Sequence, residues 1–156
     1  MRRQSGFSYV VVMFLLAVLA VTSARALENQ LTAERREKEA ELIRIGLLYR
    51  QAIQAYYEGS LGSARSYPAK LEDLLDDPRP LRKRRPLRRL YRDPITGGAW
   101  GLIREGGGTD TPIIGVFSLS TRRPMKTAGF PPELAGFEQA ASYQQWRFIF
   151  QPTPGS

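Results

Sequence analysis

The sequence predicts an α+β fold: a long N-terminal helix whose first half spans a membrane, packed through its second half on a small antiparallel sheet of about three strands. Three observations predict it. No charged residue occurs from Gln4 to Ala24, a stretch long enough to cross a hydrocarbon core of about 30 Å as a helix. No proline occurs from Arg25 to Gly59, where apolar residues recur at helical spacing. After Gly59 the composition turns to glycine, proline and short β-prone runs.

Taken in order, residues 1–6 form a basic leader containing Arg2 and Arg3, and residues 7–24 the apolar helix. Residues 25–58 continue that helix in amphipathic form. Leu27, Leu31, Leu42, Ile45, Tyr49, Ile53 and Tyr56 or Tyr57 recur every three or four residues. Between them Arg35, Arg36 and Lys38 interleave with the acids from Glu37 to Glu41, which reads as a solvated face with nearly cancelling charge. A single helix from Phe7 to Tyr57 would run roughly 75 Å at the standard rise per residue.

Residues 59–156 form the head. "YPAKLEDLLDDP" reads as a short second helix with Leu71, Leu74 and Leu75 facing inward, stopped by Pro78. Residues 79–92, "RPLRKRRPLRRLYR", read as an extended, solvated loop with Arg82, Lys83, Arg84, Arg85, Arg88 and Arg89 as candidate interaction residues. "DPITGG" is a turn; "AWGLIRE", "IIGVFSLS" and "WRFIF" are the three strands. A short helical turn within "FPPELAGFEQAAS" lies between the second and third.

Composition narrows the function classes. The chain has no cysteine and no histidine, and a net charge of +8. Disulfide staples, thiol nucleophiles and serine–histidine triads are thereby excluded. Glu72/Asp73 and Asp76/Asp77 are the only adjacent acid pairs, and on a short helix they read as solvated surface and a favourable charge near the helix start. The chain therefore reads as a non-enzyme. Calcium needs only oxygen ligands; Glu105 and Asp110, with the carbonyls of "EGGGTD", are sparse candidates, and a plain glycine turn is the simpler reading. The basic run could meet phosphates, with Tyr91 and Trp100 stacking on bases, or acidic neighbours.

The first residues carry a resemblance. "RRQSGFSYVVVMFLLAVLA" resembles the leader of type IV pilins and type II secretion pseudopilins: basic residues, then Gly6, then Phe7 opening an apolar helix. Farther on, Tyr67, Pro68, Asp93, Pro94, Gly97 and Trp100 stand where the head pattern of major pseudopilins has a tyrosine–proline, an aspartate–proline turn and a sheet. The resemblance implies cleavage after Gly6 by a prepilin peptidase and methylation of the Phe7 amine. It further implies a structural role in a periplasmic pseudopilus that serves protein secretion. Other pseudopilins, an inner-membrane secretion platform and membrane lipid would be the partners. It also implies a calcium site in a loop of the sheet, with no other cofactor. The family usually has a glutamate as the fifth residue after the cut, and this chain has Val11.

The resemblance and the positive-inside rule together imply a single-pass inner-membrane protein, its amino terminus cytoplasmic and its head periplasmic. Two other readings stay open. One is a type IV pilin-like subunit that contacts DNA. The other is a soluble periplasmic binding protein released by signal peptidase after Ala26, because Ala24 and Ala26 form an A-x-A site.

Overall fold

The computed structural model describes residues 5–60, 65–77, 79 and 85–152. One helix, α1, runs from Ser5 to Glu58. The chain divides into two compact units, Met1–Glu37 and Lys38–Ser156, and α1 contributes to both.

In the first unit the described side chains of residues 8–23 are exposed and almost all apolar. A polar side chain in such a helix needs an internal partner. Thr22 finds one by donating its hydroxyl to the carbonyls of Val18 and Leu19, at 3.0 and 2.9 Å. The stretch is long and apolar enough to cross a membrane.

In the second unit α1 buries Leu42, Ile45, Tyr49, Ala52, Ile53 and Tyr56, one stripe at three- and four-residue steps. Against this stripe lies a three-stranded antiparallel sheet in the order β1 (Gly101–Arg104), β2 (Ile113–Phe117), β3 (Arg147–Ile149). Alternation puts Leu102, Val116 and Phe148 in one row across the sheet, and the last two are buried. The approach is close at Gly46, where a Cβ would sit 2.3 Å from the Phe148 ring. Any larger residue there would push the third strand off the helix.

Aromatic rings close the core. Phe137 stacks on Trp146 with centroids 5.4 Å apart, and Phe137 meets Phe148 edge-on at 5.2 Å. Phe137 comes from a 3-10 turn at Pro132–Phe137, inside the segment expected to hold one. A second such turn, Tyr143–Gln145, was not legible in the sequence.

The predicted second helix is a single 3-10 turn, Leu71–Leu74. An α-helix would bond the Leu74 carbonyl to the N–H of residue 78, which is proline and has none. Leu87 N–H takes that carbonyl instead, at 2.8 Å. Asp73 caps the start, accepting from the N–H groups of Ala69 and Lys70 at 3.1 and 3.0 Å.

Candidate functional site

Gly6 and Phe7 lie in the first two turns of α1, next to the exposed apolar stretch. Val11, at the position where a glutamate was the expectation, is one of the exposed apolar residues. The helix therefore offers a continuous apolar surface with no carboxylate in residues 8–23.

The six residues singled out in the head fall into two groups: Asp93, Pro94, Gly97 and Trp100 in and just after the aspartate–proline turn, and Tyr67 and Pro68 by the end of α1 and the start of the second strand. Asp93 is fully buried, and its carboxylate organises the turn. It accepts from Ile95 N–H at 2.8 Å, from the Thr96 hydroxyl at 2.8 Å and from the Ser118 hydroxyl at 2.7 Å. Pro94 presets the chain direction, and Gly97, at φ 73°, closes the turn by donating to the Asp93 carbonyl at 2.7 Å. A buried carboxylate is costly unless its lone pairs are filled, and here three donors fill them. Trp100 is buried and donates its indole N–H to the Tyr91 carbonyl at 3.0 Å. Tyr67 packs on Tyr57, with centroids 4.6 Å apart, and the Pro68 carbonyl accepts from Ile113 N–H at 2.8 Å.

The basic run differs from a freely solvated loop. Arg82, Lys83 and Arg84 lie outside the described residues. Arg85, Arg88 and Arg89 are exposed, but the backbone between them is anchored. Leu87 is buried and bonded to Leu74, while Tyr91 N–H donates to the Tyr49 hydroxyl at 2.9 Å. That hydroxyl in turn donates to the Tyr91 carbonyl at 3.1 Å, and burial pushes the Tyr49 phenol above its ordinary range. The Tyr91 ring has the Arg89 guanidinium 4.8 Å and the Arg44 guanidinium 6.0 Å from its centroid. The stacking pair expected for nucleic acid is thus committed elsewhere. Trp100 is in the core, and Tyr91 is half-buried with both cations against its ring.

Arg79, read as part of the solvated run, is instead a clasp. It forks onto Asp77 at 2.8 and 2.9 Å and donates to the hydroxyls of Ser60 and Ser66 at 2.7 and 2.9 Å. It also donates to the Tyr56 carbonyl at 2.6 Å and lies 3.5 Å over the Tyr56 ring. The last turn of α1 has no basic residue of its own, so Arg79 supplies the cation that a helix C-terminus favours. The bond to Asp77 raises the Arg79 pKa further. Asp77, expected on solvated surface, is 2% exposed for the same reason.

Glu39 is the second departure. The sequence places it in a wetted stretch, yet it is 3% exposed. Its carboxylate accepts from the N–H groups of Met125 and Lys126 and from the Tyr143 hydroxyl, the last at 2.7 Å. It joins α1 to segments more than eighty residues away in the chain. By contrast Glu41 is paired with Arg44 on the surface, and that hydrogen bond holds its carboxyl below the usual range.

Glu105 and Asp110 are exposed on the β1–β2 connection. Arg104 Nη1 donates to the Thr111 carbonyl there, so one oxygen of the loop already faces a side-chain cation. Among the described residues, no group of three or more Asp, Glu, His or Cys side chains is arranged to hold a metal ion. Searches against protein-family models, curated proteins and solved structures found no match to this chain.

Proposed function

We propose that this chain is a structural subunit of a type II secretion-like pseudopilus, cut after Gly6 by a prepilin peptidase and held in the inner membrane before assembly. The observation that carries the reading is the division of one helix. In α1, residues 8–23 are apolar and exposed, and residues 39–56 bury a stripe against a three-stranded sheet. An apolar helical surface of that extent needs lipid or other helices around it. A bundle of such helices, drawn from many copies or from related subunits, supplies the second environment once the first is left.

In this reading the chain performs no catalysis, and its buried acids serve the head's architecture. Asp93 sets the turn, Asp77 holds Arg79, and Glu39 fixes the distant loop. Motive force comes from a separate cytoplasmic ATPase. Arg2 and Arg3 precede the span, which puts the amino terminus in the cytoplasm and the head in the periplasm. Val11 in place of glutamate means that the subunit cannot itself neutralise a neighbour's buried amino terminus, a charge costing several kcal/mol if left unpaired. It is therefore placed at the fibre tip, where it meets no earlier helix.

Protease treatment of spheroplasts tests the orientation: the head is degraded, and a protected head contradicts it. Co-expression with partner pseudopilins tests the position. Crosslinks from Tyr9 should reach other subunits, and abundant self-crosslinks along sheared fibres would make this the major subunit instead.

A further inference from the structure

Cations gather at one end of the second unit, the end where the chain arrives from the apolar stretch. That unit begins at Lys38, and its first helical turns carry Glu39, Glu41 and Arg44. Arg44 and Arg89 both face the Tyr91 ring, which sets residues 88–92 beside those turns. Glu39 accepts from the backbone of Met125 and Lys126, which sets residues 122–126 beside them as well. Arg88, Arg89, Arg92, Arg122, Arg123 and Lys126 are all exposed. The nearby acids offset them only in part: Glu39 is buried on backbone donors, and Glu41, paired with Arg44, also feels Arg89. Asp77, by comparison, lies with the last turns of α1, held by Arg79 against Tyr56.

We propose that this cationic rim binds the anionic phospholipid headgroups of the bilayer crossed by residues 8–23, docking the second unit on the membrane surface. The inference rests on the membrane reading of residues 8–23 and on nothing else in the proposed function. Three observations favour lipid over other polyanions. The rim's backbone is held at Leu87 and Tyr91, so the segment carrying Arg88, Arg89 and Leu90 needs little backbone ordering at binding. Leu90, 38% exposed among arginines, suits the boundary between headgroups and acyl chains. Of the two aromatics read as base-stacking candidates, Trp100 is buried, and the half-buried Tyr91 already carries the Arg89 and Arg44 guanidiniums against its ring.

The test uses the full chain reconstituted in vesicles of phosphatidylcholine, with or without phosphatidylglycerol. The chain has no cysteine, so Thr127→Cys takes a single fluorophore beside Lys126. Thr109→Cys, on the β1–β2 connection, serves as the control. A nitroxide on the lipid headgroup quenches whichever label is docked. The expected result is quenching at position 127 only, in phosphatidylglycerol vesicles only, and relieved by salt. Each arginine removed should lower the docked-to-free ratio roughly fivefold, so Arg88→Gln with Arg89→Gln should lower it by about twenty-five. Tryptophan fluorescence confirms that the variant head is folded.

Equal quenching in both vesicle types overturns the proposal. So does quenching that fades as the protein is diluted in lipid, which would mark contact between copies. Duplex DNA bound by the rim in phosphatidylcholine vesicles at physiological salt would assign it to nucleic acid instead. A chain extracted by alkaline carbonate removes the span reading and the docking together, whereas an inserted chain with position 127 unquenched removes the docking alone.

Discussion

Removing the Glu39 carboxylate should loosen the head markedly, although the sequence makes the residue look like surface. The carboxylate is 3% exposed and accepts from two backbone N–H groups and one phenol. A hydrogen bond to a charged group contributes about 1.5–3 kcal/mol, and a buried donor left alone costs about 1–3 kcal/mol. Glu39→Ala strands all three donors, although water can enter part of the space. The expected loss is about 3–5 kcal/mol, a large part of the roughly 5–15 kcal/mol that holds a domain together. Glu39→Gln keeps one acceptor oxygen but turns an N–H toward the backbone donors, and should cost about 2 kcal/mol. Urea unfolding of the chain in detergent, followed by fluorescence, reads this directly because Trp100 and Trp146 are both buried in the head. Tyr143→Phe, alone and combined with Glu39→Gln, should show coupling of about 0.5–3 kcal/mol. A Glu39→Ala variant within about 0.5 kcal/mol of the parent would mean that the residue is solvated, as the sequence suggests, and would refute the reasoning.

Arg79→Met should cost about 3–5 kcal/mol, because it leaves Asp77 buried without its cation and the end of α1 uncapped. Arg79→Lys should recover little, since an ammonium cannot reproduce the fork, and hydrogen exchange should quicken in the last turn of α1. Gly46→Ala should cost about 1–3 kcal/mol by forcing Phe148 away, and Phe148→Leu in the same chain should return part of it, both read from the urea midpoint. The pH dependence has a definite sign. Burial raises the phenol pKa values of Tyr49, Tyr56 and Tyr67. Their contribution is therefore fully present below the ordinary tyrosine value of about 10 and is lost as pH rises beyond it toward the folded values. An absorbance titration should show some phenols ionising late, together with unfolding; simultaneous ionisation of all of them in a folded chain would contradict this.

Much of the fold was legible because its signals are local and periodic. The apolar stretch, the helical stripe from Leu42 to Tyr56 and the three strands each announce themselves within a few residues. The aspartate–proline turn was legible for the same reason, although its partner Ser118 was not. What escaped is long-range. Arg79 and Asp77 sit in a proline-rich, charged run, and nothing nearby reveals that Tyr56, Ser60 and Ser66 converge on them. Glu39 did leave a trace. The buried positions 42, 45, 49, 52, 53 and 56 extend backward by one three-residue step to 39. A periodic reading that stops at the first charged residue misses it, because burial follows the face and not the residue type. The basic run misleads in the opposite way. Charge predicted solvation, and Arg85, Arg88 and Arg89 are exposed, but the backbone beneath them is fixed by Leu87 and Tyr91.

The proposed function requires first that the chain be cut between Gly6 and Phe7 and that the apolar helix be retained. Intact mass spectrometry of the chain purified from membranes of cells with a prepilin peptidase tests it most directly, alongside the same chain from cells lacking that enzyme. The expected product is a mature protein beginning at Phe7 with a methylated amine, dependent on the peptidase and abolished by Gly6→Val. A mature protein beginning at Leu27, recovered from the soluble fraction and indifferent to the peptidase, would contradict it.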